Sequence, residues 1–300
     1  MKKQNGFTLI ELLISSLIGL IIMGGIMNLF ITTNRSASLS DALSQNQETG
    51  RFAMEYLTKF VRKAGYNNRF TETIPAIFSD YRGGVPVINC ADSEEDDPSD
   101  ESLAQAKACS LNNPVGQGIA GDRLGISYVV TDGSINSSCT GATDASLPDN
   151  GRYYVDVFWV VGNDSSSQYQ DLVCSTYDVN NQKFLEPQQV SIINHVEQFE
   201  FQIGLASDIK EQNTARYVNL DTAQADPDYH YLVRSIRIAI LTSSSDTNDA
   251  NRIQSSRANK QPRTYTLLDT KLETVNDGAL RNIFMNTIEL TNLIETAITN

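Results

Sequence analysis

Histidine is scarce in this chain: His195 and His230 are the only two among 300 residues. Neither falls in a metal-ligand or catalytic spacing, so each reads as a strand or surface residue. Gly-x-Ser-x-Gly, His-Glu-x-x-His and Gly-Lys-Ser/Thr are all absent, which leaves no nucleophile elbow, zinc-protease helix or phosphate loop. Asp221, Asp226 and Asp228 lie in a polar stretch where carboxylates are ordinarily solvated, and they do not replace those motifs. Cationic charge is also short, with 23 Lys/Arg against 36 Asp/Glu and a net charge of -13. The four cysteines form no CxxC pair, which argues against zinc. The first proline is Pro75, and only one long apolar run exists, from Phe7 to Ile31.

That run is where the function is written. Its 25 residues suffice to cross a bilayer as a helix at about 1.5 Å per residue. A lone carboxylate, Glu11, sits near its start. Placing a charge in hydrocarbon costs roughly 2.5 to 3.5 kcal/mol on insertion scales, so such a residue usually marks function and needs a partner. Lys2 and Lys3 precede the run and Arg35 follows it, a bias that puts the amino terminus in the cytoplasm and the remainder on the other side. A secretory signal peptide is a poor alternative, because its apolar core is shorter and ends in a small-x-small cleavage site.

A short basic leader ending in Gly6, then Phe7-Thr8-Leu9-Ile10-Glu11 opening a long apolar helix, resembles the class III signal of type IV pilins and pseudopilins. The resemblance implies that a prepilin peptidase cuts between Gly6 and Phe7 and that the new terminus at Phe7 is methylated. It also implies that Glu11 pairs with the terminal amine of a neighbouring subunit, the counter-ion its position demands. In a low-dielectric helix bundle such a pair attracts far more strongly than in water.

The helix is expected to run on to about Ala64. Ala53, Tyr56, Leu57, Phe60, Val61 and Ala64 recur at three and four residues and form one stripe to pack on a sheet. Arg62 and Lys63 suit the negative end of the helix dipole, and Gly65 is the expected C-cap. Gly19, Gly24, Gly25 and Gly50 are expected weak points where the helix could bend. The expected organisation is a leader at 1–6, a helix at 7–64 that spans the membrane to about 31, and a head at 65–300.

The head has about 236 residues, enough for one domain with a substantial core. Residues 1–64 hold seven basic and four acidic side chains; the head holds 16 and 32. So acidic a surface repels phosphate backbones, and direct nucleic-acid binding is not expected. Cys90, Cys109, Cys139 and Cys174 all follow the membrane helix, as disulfides in an oxidising compartment would. Three pairings are open; Cys90–Cys109 with Cys139–Cys174 is favoured because sequential pairs close the shorter loops. Each would stabilise by about 3 kcal/mol. The run from Asp92 to Glu101 carries seven acidic residues in ten and reads as a solvated loop. Its sharper reading is a calcium site; otherwise no cofactor or metal is expected.

Strands are expected at Leu124 to Val130, Tyr153 to Val161, Leu172 to Tyr177, Val196 to Ile203, Ser235 to Leu241, Thr264 to Leu268 and Ile283 to Leu290. Two alternate cleanly, Phe199, Phe201 and Ile203 against Gln198, Glu200 and Gln202, and Ile236, Ile238 and Ile240 against Ser235, Arg237 and Ala239. Half-buried antiparallel strands are implied. Trp159, with Phe158, Tyr153 and Tyr154, reads as sheet core. Ala206 to Tyr229 and Ser243 to Gln261 read as loops. The fold class is α+β, a long helix packed on a mostly antiparallel sheet.

Gln47-Glu48-Thr49-Gly50-Arg51-Phe52-Ala53-Met54-Glu55-Tyr56-Leu57, then Arg62-Lys63-Ala64-Gly65-Tyr66, resemble the helix end of PilW-type minor pilins. The segments His195 to Gly204, Val233 to Thr242 and Leu280 to Phe284 do so more loosely. The resemblance implies a non-catalytic subunit of the inner membrane, single-pass, later part of a cell-surface type IV pilus. Its implied partners are other minor pilins, the major pilin, the prepilin peptidase and the inner-membrane assembly platform, within a priming complex that stays near the tip. Two alternatives share the leader and helix: a minor pseudopilin of a type II secretion system, and a tip adhesin binding through the irregular region 67–121 or the long loops.

Overall fold

The computed structural model describes residues 8–66, 108–112, 119–130, 138–142, 152–161, 170–226, 229–244, 263–274 and 280–292. Helix α1 occupies Leu9–Val61, 53 residues without a break. Straight-chain residues and the absence of proline favour so long a helix, and Gly19, Gly24, Gly25 and Gly50 all lie within it. Thr8 is its N-cap in extended conformation. At the other end the C-cap is Arg62, not Gly65. Gly65 lies three residues on, in the left-handed region at φ +70°. There its N–H reaches Ser127 O at 3.0 Å and ties the helix exit to the sheet. The open carbonyls of Arg62 and Ala64 accept the Asn292 side-chain amide at 2.8 and 3.2 Å, a long-range cap.

The strands are β1 (Ile119–Val130), β2 (Arg152–Val161), β3 (Asp171–Asp178), β4 (Lys183–Phe184), β5 (Val190–Asn194), β6 (Val196–Leu205), β7 (Arg216–Val218), β8 (Val233–Ser243), β9 (Arg263–Leu267), β10 (Thr270–Thr274) and β11 (Arg281–Glu289). Two short helices, α2 (Leu220–Gln224) and α3 (Tyr229–Leu232), precede β8. Nine strands make one sheet in the order β11-β8-β6-β1-β2-β3-β4, with β5 also on β3 and β7 on β6. Every pairing is antiparallel except β1 with β6, which meet in parallel at Gly121 and Phe199. Gly121 adopts φ +86°, and a Cβ there would meet Phe199 O. Only glycine allows the two backbones to approach that closely.

The carboxyl-terminal half of α1 lies on one face of this sheet. Ala53, Leu57, Phe60, Val61 and Ala64 are buried against Leu124, Ile126, Phe158, Phe199, Phe201, Ile203, Ile236, Ile238, Ile240 and Ile288. At about 1.5 to 3 kcal/mol for each large side chain, this stripe holds the helix to the head. Part of the other face is covered too. The β9–β10 hairpin packs Leu267 on Ala239 and Leu241, while Val155, Val157 and Tyr177 cluster with Trp159 and Phe184.

That second cover corrects the expectation of half-buried strands. Gln198 and Glu200 were to face water; they are 6% and 1% exposed. The hairpin lies over them: Thr270 Oγ1 donates to Glu200 Oε2 at 3.0 Å, and Gln202 Nε2 to Asp269 Oδ1 at 3.3 Å. Expected loop 206–229 contains β7 and α2. The expected loop 243–261 and the irregular region 67–121 lie largely outside the described residues, and residues 119–121 of the latter open β1.

Candidate functional site

From Leu9 to Gln45 almost every side chain of α1 is exposed, with Leu9 at 79% and Met23 at 71%, and the first buried residue is Asn46. No water-facing helix leaves so continuous an apolar surface uncovered. The span from Leu9 to Ile31 is about 34 Å at 1.5 Å per residue, against a hydrocarbon core of about 30 Å. Its hydroxyls are satisfied within the helix. Ser15 and Ser16 donate to Leu12 O and Leu13 O at 3.0 and 2.9 Å, and Thr32 and Thr33 to Asn28 O and Leu29 O at 2.9 Å. Such bonds remove the need for water at those positions.

Glu11 remains as the charge. Its Oε2 accepts from Thr8 N–H at 3.1 Å and from Thr8 Oγ1 at 3.0 Å. The chain therefore gives this acid a capping role of its own, which the apolar context did not disclose. It gives no counter-ion: among the described residues no cation pairs with Glu11. Gly6 and Phe7, the expected cleavage pair, lie outside the described residues, as does the expected leader at 1–6.

Where the helix meets the head, polar anchors supplement the apolar stripe. The Asn46 amide donates to Leu280 O at 3.0 Å, and Thr242 Oγ1 donates to Asn46 Oδ1. Asn286 Nδ2 donates to Thr58 Oγ1 at 2.9 Å. On the other flank the Tyr56 hydroxyl donates to Cys139 O. Cys139 is disulfide-bonded to Cys174, with Cα atoms 6.3 Å apart. Cys109 is likewise disulfide-bonded, and its expected partner Cys90 lies outside the described residues.

Beside that disulfide sits Asp156, fully buried in β2. Its Oδ1 accepts Thr176 Oγ1 at 2.7 Å and Cys139 N–H at 3.2 Å. Burial pushes its carboxyl above the usual range, while Lys63 on the helix exit and the bonds from Thr176 and Cys139 pull the other way. The same burial lowers the Lys63 ammonium, which Asp156 opposes. Tyr56 is pushed up to about 12 by burial and then by Asp156. These groups form a polar joint between helix and sheet; burial outweighs the charge pairing of Asp156 with Lys63, while at Tyr56 burial and the Asp156 charge add.

The remaining candidates do not gather into a site. His195 begins the turn into β6 at φ +65°, half-buried, its imidazole lowered by burial despite Asp171 and Glu197. Asp221, exposed at the start of α2, accepts from Asn112 Nδ2 at 2.8 Å. Asp228 and the acidic run with its calcium reading lie outside the described residues, and among the described residues no three His, Cys, Asp or Glu side chains cluster to hold a metal. The buried Asp122, Asp156 and Glu200 were missed by sequence reasoning. Asp156 had a signal, a single acid inside Tyr153-Tyr154-Val155-Asp156-Val157-Phe158.

A long exposed apolar helix with one acid near its start, continuous with a helix half packed on a mostly antiparallel sheet, defines a type IV pilin-like protein. Two family matches agree. The prokaryotic N-terminal methylation motif matches residues 1–27, and the family described as Type IV Pilus-assembly protein W matches residues 157–292. The chain is thus similar to type IV pilins at its amino terminus and most like the PilW-type minor pilins over residues 157–292. Among solved structures, a type IV-like pilin from Thermus thermophilus matches at 17% identity and TM-score 0.31, covering 61% of this chain and 83% of that one. No curated protein matches the chain.

Proposed function

We propose that this minor pilin acts in a complex of minor pilins that primes type IV pilus assembly and stays near the filament tip. Before assembly it is anchored in the inner membrane by α1, amino terminus in the cytoplasm and head in the periplasm. Prepilin peptidase cuts after Gly6 and Phe7 becomes the methylated terminus. The role is structural, without a cofactor. Its contacts run to other minor pilins, the major pilin and the assembly platform.

The observation that carries this reading is Glu11, capped by Thr8 at one oxygen yet, among the described residues, without a paired cation in an otherwise apolar surface. A neighbouring subunit's terminal amine supplies the counter-ion that no described residue provides. Replacing Glu11 by Ala should leave cleavage after Gly6 largely intact while lowering the filament-incorporated fraction by about tenfold or more. Immunoblotting of sheared pili against membranes measures it. An unchanged filament fraction would defeat the docking role, and continued cleavage of a bulky Gly6 variant would defeat the processing assignment.

A further inference from the structure

The nine-stranded sheet ends on β11, and among the described residues no strand pairs with its outer side. The ladder to β8 shows which groups point outward. Leu290 N–H donates to Arg234 O and Ser244 N–H to Leu280 O, both at 2.9 Å. Even-numbered residues of this strand therefore bond inward, and Ile283, Met285 and Thr287 turn N–H and C=O to the outside. Asn286 Oδ1 already occupies Thr287 N–H at 2.9 Å. Ile283 and Met285 keep outward main-chain groups, and their side chains are 39% and 53% exposed on the face away from α1.

Natural edge strands are usually blunted by lysine, proline, a bulge or shortness. From Asn282 to Ile288 there is no charge and no proline, and the nine pairs with β8 run without a register shift. Left so open, the edge is suited to main-chain pairing with an extended segment.

The strand's direction narrows the partner. Asn46 meets Leu280, Gly50 meets Phe284, Thr58 meets Asn286 and Arg62 meets Asn292. β11 thus runs alongside α1 in the same sense. An antiparallel two-fold pairing of two β11 strands would turn one membrane helix upside down, so two copies in one bilayer cannot form it. A subunit packed on α1 instead brings its head alongside this edge.

We propose that β11 takes up an extended strand from the head of a different pilus subunit anchored in the same membrane. The pairing lies along Arg281–Glu289, with alternate apolar side chains of the incoming strand on Ile283 and Met285. It rests on the proposed membrane-anchored assembly role.

The test uses the full-length chain in membranes that contain the other pilus subunits. A photo-crosslinking residue replaces Thr287, and a second probe replaces Leu20 on α1. The Thr287 probe should give an adduct with another pilus subunit. Met285→Pro removes one outward N–H and leaves the bonds to β8, so the adduct should fall about tenfold while the Leu20 adduct persists. Met285→Ala, which keeps the main chain, should hold the yield to within about twofold. If Met285→Pro fails to form the Cys139–Cys174 disulfide, Met285→Lys carries the test by charging the edge. Adducts at Thr287 only to a second copy, no protein adduct there, or a yield unchanged by the edge variant would overturn the proposal. Should the Leu20 probe also find no other subunit, the assembly reading falls with it.

Discussion

Gly50 offers a sharp test of how α1 meets the head. On an exposed helix, replacing glycine by alanine stabilises by about 1 kcal/mol. Here the substitution meets β11: a Cβ on Gly50 would overlap the Phe284 ring edge, and that ring packs against the main core. Forcing an extra methyl into packed contact costs about 1 to 3 kcal/mol. Set against the helix gain, Gly50→Ala should destabilise the head by about 1 kcal/mol, a fall in Tm of about 2 to 4 °C for a domain of this size. Thermal unfolding of the full chain in detergent, followed by near-ultraviolet circular dichroism, reads the change. The partner identifies the cause. In a Phe284→Ala background the overlap is gone, and the same glycine change should stabilise by up to about 1 kcal/mol. A rise in Tm for Gly50→Ala alone, or the same shift in both backgrounds, would refute the argument that close approach to β11 requires the glycine.

Removing the Cys139–Cys174 bond, which joins residues 35 apart, should cost about 4 kcal/mol by loop entropy. Thermal melts of the double serine variant would show a fall of about 8 to 16 °C; an unchanged Tm would mean that the bond constrains little in the unfolded chain. Glu200 is pushed up by burial, opposed by hydrogen bonds from Gln198 and Thr270 and by hydrogen bonding with Asp122, with Asp269 adding to the rise. Its folded pKa lies above its unfolded one, so its contribution is full in acid and is lost as pH rises through the folded value. Glu200→Gln should therefore melt higher than the parent at about pH 8 and converge with it at about pH 4, and a Tm difference independent of pH would contradict the burial argument.

The helix and the larger strands were legible because their signals are local. The apolar run, the three-and-four spacing from Ala53 to Ala64 and the alternation in β6 and β8 each need no knowledge of the rest of the chain. The helix end was less legible. Gly65 carried a C-cap signature, yet Asn292 supplies the cap for Arg62 and Ala64 from 230 and 228 residues away. The outer sheet face failed for the same reason. Gln198 and Glu200 read as solvent residues by alternation, and only the β9–β10 hairpin, 70 residues on at Thr270, converts them into buried ones.

Glu11 shows both sides of this limit in one residue. Its isolation in an apolar run marks it as functional without any structure, because a lone charge there needs a partner. The run does not reveal that Thr8, three residues earlier, already claims one oxygen. A cap supplies donors to a carboxylate but no positive charge, so the two roles are compatible within one side chain. The capping bonds orient the acid near the amino terminus of α1, where the helix dipole favours negative charge. In the proposed docking, a cation from a neighbouring chain would meet a carboxylate already held in place, and the ordering cost would be correspondingly smaller.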